Sequence, residues 1–134
     1  MAETFELEIV TPERLVMKGR AESVQIPGRG GYLGILPGHA PLITELAVGE
    51  ISYAAEGAST HISVAWGFAE VLPDKVTILA ETAERAEDID VSRAEAARDR
   101  AQQALKAADN QEAYEEAAAA LSRAETRLSV ARQQ

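Results

Sequence analysis

The sequence predicts an α+β fold, with an N-terminal antiparallel β-sandwich followed by a C-terminal antiparallel two-helix hairpin. All nine glycines and all five prolines precede Asp74. The same part holds most of the Val, Ile, Phe and Trp in short runs separated by turns, which is typical of an all-β sandwich. After Glu87 the chain consists mainly of Ala, Glu, Arg and Gln, which are strong helix formers. We therefore divide the chain into domains at 1–86 and 87–134.

The first strand is indicated by alternation, because Phe5, Leu7 and Ile9 alternate with Glu6 and Glu8. This pattern gives one buried and one solvated face. Further strands are predicted at Leu15–Lys18, Ala21–Ile26, Tyr32–Leu36, Glu50–Ala55, His61–Trp66, Phe68–Leu72 and Lys75–Ala80. The Pro73-Asp74 pair predicts a hairpin turn between the last two.

Two helices are predicted, at about Asp90–Ala107 and Gln111–Arg132, because Asp109-Asn110 interrupts the helical pattern with capping residues. Residues spaced three and four apart form a seam on each helix. The seams are Val91, Ala94, Ala101, Leu105 and Ala108, and Tyr114, Ala117, Leu121, Ala124, Leu128 and Ala131. Since alanine buries little apolar area, we expect the hairpin to be weakly held to itself and to the sandwich.

Composition excludes several classes of function. The net charge of -9 and the pI near 4.7 argue against nucleic-acid binding, which rests on Lys and Arg. The absence of cysteine excludes disulfides and thiolate chemistry, and two histidines without evident carboxylate companions make no metal site. No serine occupies a nucleophile-elbow context, so we do not expect an enzyme.

The N-terminal segment MAETFELEIV is acidic where a signal peptide would be basic, and no apolar run reaches the roughly 18 residues that span a bilayer. We therefore expect a soluble protein that meets a membrane only through a complex.

The stretch GRGGYLGILPGHAPLITEL, residues 28–46, suggests a phosphate-binding loop because of its glycines. It lacks the Gly-Lys-Ser/Thr ending of such a loop, and its prolines forbid a helix start after it. The stretch is predicted to be a turn-rich connection between strands.

Four arginines of the hairpin are predicted to converge near its sheet-proximal end. Antiparallel pairing about residues 109 and 110 places Arg93 level with Arg127, with Arg123 and Arg100 within two turns. Two interpretations remain open: a solvated face neutralised by nearby acids, or a polyphosphate clamp of forked donors. Asp90, at the base, could accept from a ligand or cap the helix.

The segments GYLGILPGHAPL, GFAEVLPDKVTILAETAERAEDID and VSRA resemble the epsilon-subunit family of bacterial and plastid rotary F-type ATP synthases. The resemblance runs from Phe5 to Ala131. It implies a non-catalytic central-stalk subunit with no required cofactor, whose sandwich binds the gamma subunit and rests on the c-ring. It further implies a peripheral position at the cytoplasmic face of a bacterial inner membrane, in preference to a plastid thylakoid.

By the same resemblance, two segments are expected to contact the rotor. One is the loop of Arg29, Gly30, Gly31 and Tyr32, which lies where the family meets the c-ring. The second is the neighbouring motif of Gly38, His39, Ala40, Pro41 and Leu42, whose role is expected to be mainly architectural.

The family's hairpin either folds against the sandwich or extends into the alpha/beta catalytic head, where it blocks ATP hydrolysis. In some members ATP is a regulatory ligand of the folded form. The resemblance places this site at Glu84, Ile89, Asp90, Arg93, Ala94, Arg100, Arg123 and Arg127. Glu116 departs from the pattern, because tight-binding relatives carry a basic residue there.

Three alternatives stay open at this point. The chain could keep the coupling role with no functional ATP site, its arginines serving ion pairs within the complex. It could instead be a free-standing nucleotide sensor or adaptor unrelated to the motor. An independent enzyme ranks third.

Overall fold

The computed structural model describes residues 3–133, so Met1, Ala2 and Gln134 of the two predicted domains lie outside the described residues. The strands are β1 Phe5–Val10, β2 Leu15–Ala21, β3 Ser23–Gly28, β4 Gly31–Ile35, β5 Leu42–Leu46, β6 Gly49–Ala55, β7 Ala58–Val71 and β8 Lys75–Arg85. A 3-10 turn at Ala86–Asp88 leads to helices α1 Val91–Ala107 and α2 Gln111–Ala131. The predicted fold class is confirmed.

The sandwich has two sheets that share the long strands β7 and β8. Sheet one runs β4-β3-β6, then the first half of β7 and the second half of β8. Sheet two contains β5, the other halves of β7 and β8, then β1 and β2. The β1–β8 pair is parallel, so the sandwich is not antiparallel throughout. Because β1 and β8 are far apart in sequence, no hairpin constrains their direction.

Strand β7 passes from one sheet to the other at Trp66-Gly67. Its residues before this point pair with β6 up to Val64, and Gly67 pairs with Leu46 of β5. Both residues have left-handed backbones, with φ of 58° at Trp66 and 128° at Gly67. Two separate strands were predicted here, and the structure instead has one strand with a kink at the glycine.

The predictions also missed one strand and ended another too early. β5 was not predicted, because Pro37 and Pro41 made its surroundings resemble a turn, yet the strand begins immediately after Pro41. β8 was predicted to end at Ala80 but continues to Arg85. The extension pairs with the first half of β7, a contact between strands that the local pattern does not encode.

The core lies between the two sheets. Phe5, Leu7 and Ile9 are at most 1% exposed, which confirms the alternation in β1. Their neighbours in the same cluster include Ile26, Ile62 and other β-branched residues of both sheets. The sandwich therefore has its own apolar core, independent of the helices.

Both helices begin at side-chain caps. Asp90 Oδ1 accepts from the Arg93 amide at 3.1 Å, and Asn110 Oδ1 accepts from the Ala113 amide at 2.8 Å. These caps satisfy amides that have no partner within the helix.

The helices pack through small residues, of which Ala94, Ala101, Ala117 and Ala124 are buried. Val91 and Tyr114 were predicted to lie on the seams, yet they are 45% and 51% exposed. Neither side chain is therefore buried in the contact between the helices. None of the helices in residues 3–133 is long and apolar enough to span a membrane.

Replacing Gly67 with alanine should strongly destabilise the sandwich. A Cβ at this position would lie 2.0 Å from Leu79 O, on a backbone with φ of +128°. We expect the free energy of unfolding to fall by about 3 kcal/mol or more. The matched control is Gly30→Ala, where a Cβ would meet nothing within 4 Å. Urea unfolding measures both variants, and equal midpoints would contradict the proposed role of the kink.

Candidate functional site

A groove of about 750 Å³ runs along the hairpin from the sheet to the helix tips. We call it the hairpin groove. Its floor consists mostly of alanines of α1 and α2, and its sheet end is closed by Thr82 and Glu84 of β8. Its charged lining residues are Glu84, Arg100, Asp109, Glu116, Arg123 and Arg127. Three of the four arginines that were predicted to converge therefore line this groove, namely Arg100, Arg123 and Arg127.

Arg127 connects the groove to the sandwich through Glu84. Its Nη2 donates to Glu84 Oε2 at 3.2 Å, and its Nε lies 2.7 Å from Oε1 in an ion-pair contact. The Nε–H does not point at the carboxylate, so that contact is not a hydrogen bond. In the folded hairpin Arg127 is therefore already neutralised by an acid of the sheet.

Arg100 and Arg123 are exposed, and neither forms an ion pair with a carboxylate of residues 3–133. The groove also carries three acids, Glu84, Asp109 and Glu116, which balance its three arginines in formal charge. A polyanion would therefore meet two available guanidiniums at the sheet end, while Glu116 opposes it.

The predicted residues at the hairpin base have packing and capping roles. Ile89 and Ala94 are 6% and 0% exposed and share a small apolar cluster with Leu128 and Val130. Asp90 caps α1, as described above. Arg93 is exposed and lies one turn closer to the sandwich than the groove, so it does not line it.

The turn predicted to meet the c-ring joins β3 to β4. Arg29 is 79% exposed at its side chain and forms an ion pair with Glu45 at 2.6 Å. Tyr32 points elsewhere, because its hydroxyl accepts the Glu50 amide at 2.9 Å and lines a small cavity under α2. The two ends of this turn therefore face different surroundings.

The second predicted rotor segment lies at the other end of β4. Gly38 has φ of 86°, and its amide donates to Pro73 O at 2.8 Å. His39 Nδ1 contacts Ala40 O at 2.7 Å, and Leu42 opens β5 opposite Val71. Ala40 and Pro41 are exposed. This loop packs beside the β7–β8 turn, whereas the Arg29 turn lies one strand length away, roughly 15 Å at 3.3 Å per residue.

The outer face of sheet two carries an apolar patch that sequence reasoning missed. Ile43, Phe68 and Leu79 are 70%, 53% and 55% exposed, and Phe68 lies directly opposite Leu79. At the rim of this sheet, Lys75 Nζ lies 3.3 Å from Glu8 Oε2. The hydrogen bond to Glu8, with the nearby Glu6, raises the pKa of Lys75.

Within residues 3–133 no group of three His, Cys, Asp or Glu side chains is placed to hold a metal ion. One detail differs from expectation, since His61 does have a carboxylate companion. Its Nδ1 forms a short contact with Glu50 Oε1 on the neighbouring strand. The pair lies across β6 and β7, so the separation in sequence concealed it.

Comparison with known families decides the class of the protein. Residues 4–86 match the family described as ATP synthase, Delta/Epsilon chain, beta-sandwich domain, and residues 87–132 match ATP synthase, Delta/Epsilon chain, long alpha-helix domain. The chain belongs to the ATP synthase delta/epsilon family. It is a non-catalytic subunit of ATP synthase, which confirms the resemblance and removes the independent-enzyme alternative.

Relatives in this family match most or nearly all of the chain. It is 50% identical over 132 residues to the ATP synthase epsilon chain of Solibacter usitatus, covering 98% of each. It is 68% identical over 106 residues to that of Koribacter versatilis, covering 79% of this chain and 75% of the relative.

Two solved structures contain chains with the same fold at low identity. A chain in the cryo-EM structure of the Euglena gracilis mitochondrial ATP synthase, OSCP/F1/c-ring in rotational state 1, has a TM-score of 0.81 at 21% identity, covering 92% of this chain and 78% of that one. A chain of the Tetrahymena thermophila mitochondrial ATP synthase central stalk/c-ring structure has a TM-score of 0.63 at 14% identity, covering 96% and 97%.

The sequence analysis did not predict the exposed apolar residues of sheet two or the position of Asp109 at the hairpin groove. The apolar patch was indicated by Phe68 and Leu79, which occupy outward positions of alternating strands, but the missing β5 hid Ile43. Asp109 was taken only as a turn residue. Its sequence position at the hairpin tip, next to the alanine face, is the signal that would have placed it at the groove.

The Glu84–Arg127 pair should contribute measurably to stability. Arg127→Ala should lower the free energy of unfolding by about 1 kcal/mol, because it leaves a part-buried carboxylate without its partner. Arg123→Ala is the matched control and should change stability by less than about 0.5 kcal/mol, since Arg123 has no ion pair. Urea unfolding of these variants, of Glu84→Ala and of the double variant Arg127→Ala/Glu84→Ala gives the coupling energy. A coupling energy of zero would contradict the pairing.

Proposed function

We propose that the protein couples the c-ring to the gamma subunit in the central stalk and regulates ATP hydrolysis through a mobile hairpin. Residues 1–86 would serve as the rigid coupling body and residues 87–134 as the regulatory element. Membership of the family supports the first role, and the polar contact between hairpin and sandwich supports the second. The protein would reach the cytoplasmic face of the membrane only through the complex.

The apolar patch on sheet two is the observation that carries the coupling role. Large apolar side chains exposed together on one sheet face mark protein contact sites more often than chance exposure does. The hairpin covers sheet one, so sheet two stays available in both hairpin states. Ile43, Phe68 and Leu79 therefore form the proposed gamma contact.

The Arg29 turn is the proposed c-ring contact. Arg29, Gly30 and Gly31 are exposed at the tip of the β3–β4 hairpin, where a side chain of the ring could approach the backbone. Gly38, His39, Ala40, Pro41 and Leu42 support the opposite end of β4 and serve the architecture of the sandwich beside the β7–β8 turn.

Hairpin release is the proposed regulatory step. Glu50, Ser63 and Glu84 beneath α2 are polar, so the apolar contacts of the hairpin are concentrated at its base, around Leu128 and Val130. Extended along gamma, the two helices would reach the alpha/beta catalytic head and block hydrolysis. Elements with few apolar contacts are those that open most readily.

ATP binding in the hairpin groove would favour the folded state. Arg100 and Arg123 offer forked donors suited to phosphate oxygens, and the alanine floor could accept a base. A ligand that binds only this state stabilises it by RT ln(1 + [ATP]/Kd), about 2.7 kcal/mol at a hundredfold excess. Because Glu116 and Asp109 oppose an anion and Glu84 holds Arg127, we expect weak binding.

Charge changes in the groove should move ATP affinity in opposite directions. Arg123→Ala should weaken binding about tenfold or more, since a charge-assisted hydrogen bond contributes about 1.5 to 3 kcal/mol. Glu116→Arg should strengthen it about fivefold or more, because it replaces repulsion by attraction. Isothermal titration of ATP into the full chain measures both, with Lys18→Ala on β2 as a matched removal of charge outside the groove.

If isothermal titration detects no heat at millimolar ATP in either the parent chain or Glu116→Arg, the proposed ATP site is wrong. The coupling role alone would then be favoured. That result would leave the gamma contact intact.

A charge within the apolar patch should disrupt the coupling contact. Phe68→Glu should abolish co-purification with the gamma subunit, because the substituted carboxylate would be desolvated in the interface. Tyr114→Glu is the matched control, since Tyr114 is 51% exposed on the hairpin and distant from sheet two. If Phe68→Glu still co-purifies with gamma, the patch is not the contact. If the parent chain ignores gamma altogether, the proposed gamma contact is wrong.

A further inference from the structure

Several strand edges of the sandwich have no neighbouring strand within residues 3–133. They belong to β2, β4, most of β5 and the second half of β8. An unpaired edge is a template on which another chain can add a strand, and proteins commonly block such edges with charged side chains. Charges are present on β2 (Lys18 and Arg20), on β5 (Glu45) and on the end of β8 (Glu81, Glu84 and Arg85). Of these edges β4, with the sequence GYLGI, is the one without a charge.

Two residues of β4 direct their backbone groups away from the sandwich. Pro27 O accepts from the Ala47 amide at 2.9 Å, so the backbone of Pro27 points towards β5 and away from β4. Pro27 lies opposite Tyr32, and because pairs along an antiparallel ladder alternate, this pair exchanges no hydrogen bonds. Gly34, two residues farther along, has the same orientation. Within residues 3–133 neither Tyr32 nor Gly34 uses its backbone in a turn, loop or cap bond.

The open edge of β4 is accessible to another chain. A Cβ built on Gly34 would meet nothing within 4 Å, so a second backbone can approach this residue closely. Tyr32 and Leu36 lie two residues to either side of it and are 49% and 64% exposed. The folded hairpin lies mainly over β6, β7 and β8, so the edge of β4 stays open with the hairpin in place.

A groove beside β4 restricts the chemistry of an added strand. It has a volume of about 370 Å³, Gly34 and Leu36 form one side of it, and none of its lining residues is charged. A side chain placed opposite Gly34 on this face would lean over the groove. Since burying an unpaired charge is costly, that side chain has to be uncharged.

The edge is continuous with the proposed gamma contact. Phe68 of the apolar patch lies opposite Glu45, which forms an ion pair with Arg29 in the turn that leads into β4. The patch and the edge are therefore about three strand spacings apart, roughly 15 Å, which about five extended residues span. A second copy of this chain is the less suitable occupant, because two chains of net charge -9 repel each other.

We propose that the gamma subunit adds an extended, uncharged segment to β4, hydrogen-bonded to the backbones of Tyr32 and Gly34. The proposal rests on the gamma contact proposed above and deepens it. The apolar patch supplies buried area, and the edge fixes how the two subunits align. In strand addition the main-chain hydrogen bonds contribute affinity, while the flanking side chains select the sequence that is added.

Gly34→Pro tests the backbone contact, because proline has no amide hydrogen. The Gly34 amide takes no part in the ladder between β3 and β4, so the substitution removes no hydrogen bond of the sandwich. We expect the affinity of the full chain for the purified gamma subunit to fall about tenfold. The matched control is Gly34→Ala, which keeps the amide and places a methyl group in open space. Its affinity should stay within about twofold of that of the parent chain.

Amide hydrogen exchange supplies a second measurement that needs no variant. When gamma is added to the full chain, the amides of Tyr32 and Gly34 should exchange about tenfold more slowly or less, because each becomes bonded in the added strand. The amides of β2 should keep their exchange rates, since that edge is blocked by charge. If Gly34→Pro does not fold, as judged by urea unfolding, this measurement decides the question.

Equal affinities of folded Gly34→Pro and Gly34→Ala for gamma would overturn the added strand, and so would unchanged exchange at Tyr32 and Gly34. If the chain alone dimerises and Gly34→Pro abolishes the dimer, the edge belongs to a second copy and gamma is the wrong occupant. Loss of gamma binding in Phe68→Glu but not in Gly34→Pro would reject the strand and leave the coupling role standing. If the parent chain does not bind gamma, both proposals are wrong.

Discussion

The contact between the hairpin and the sandwich is the constraint on which the behaviour of this protein depends. On the sheet side it consists of Glu50, Ser63 and Glu84, and on the helix side it consists of Arg127, Gln133 and small residues. Polar pairs of this exposure contribute little net free energy. The larger apolar contacts of the hairpin lie at its base, around Ile89, Leu128 and Val130. This contact supports the proposal that the hairpin is folded in one condition and released in another.

The sandwich has the opposite character. Its two sheets enclose a continuous apolar core, and β7 joins them through the Trp66-Gly67 kink. The backbone of Leu79 fits against Gly67 so closely that no side chain is tolerated there. This packing supports the proposed coupling role, because the apolar patch lies on the sheet that the hairpin does not cover.

Local patterns predicted much of this architecture. Alternation at Phe5, Leu7 and Ile9 and the segregation of glycine and alanine were sufficient for the fold class, and hairpin geometry brought Arg100, Arg123 and Arg127 together. Features that depend on pairing across distant strands were not accessible. Local spacing does not encode how distant strands align with one another. This alignment produces the Glu50–His61 contact, β5 and the parallel β1–β8 pair. Arg93 lies outside the groove. Pairing the helices residue by residue predicts its height along the hairpin, but it does not predict where the groove ends.

Native-state hydrogen exchange of the full chain tests the central claim most directly, because it reports the opening free energy of each element. The account predicts that amides of α1 and α2 exchange through an opening several kcal/mol less costly than that of β1, β7 and β8. It also predicts that the backbone around Ser63 loses protection together with the helices. A single opening free energy shared by helices and strands would contradict it, because the hairpin and the sandwich would then unfold as one unit.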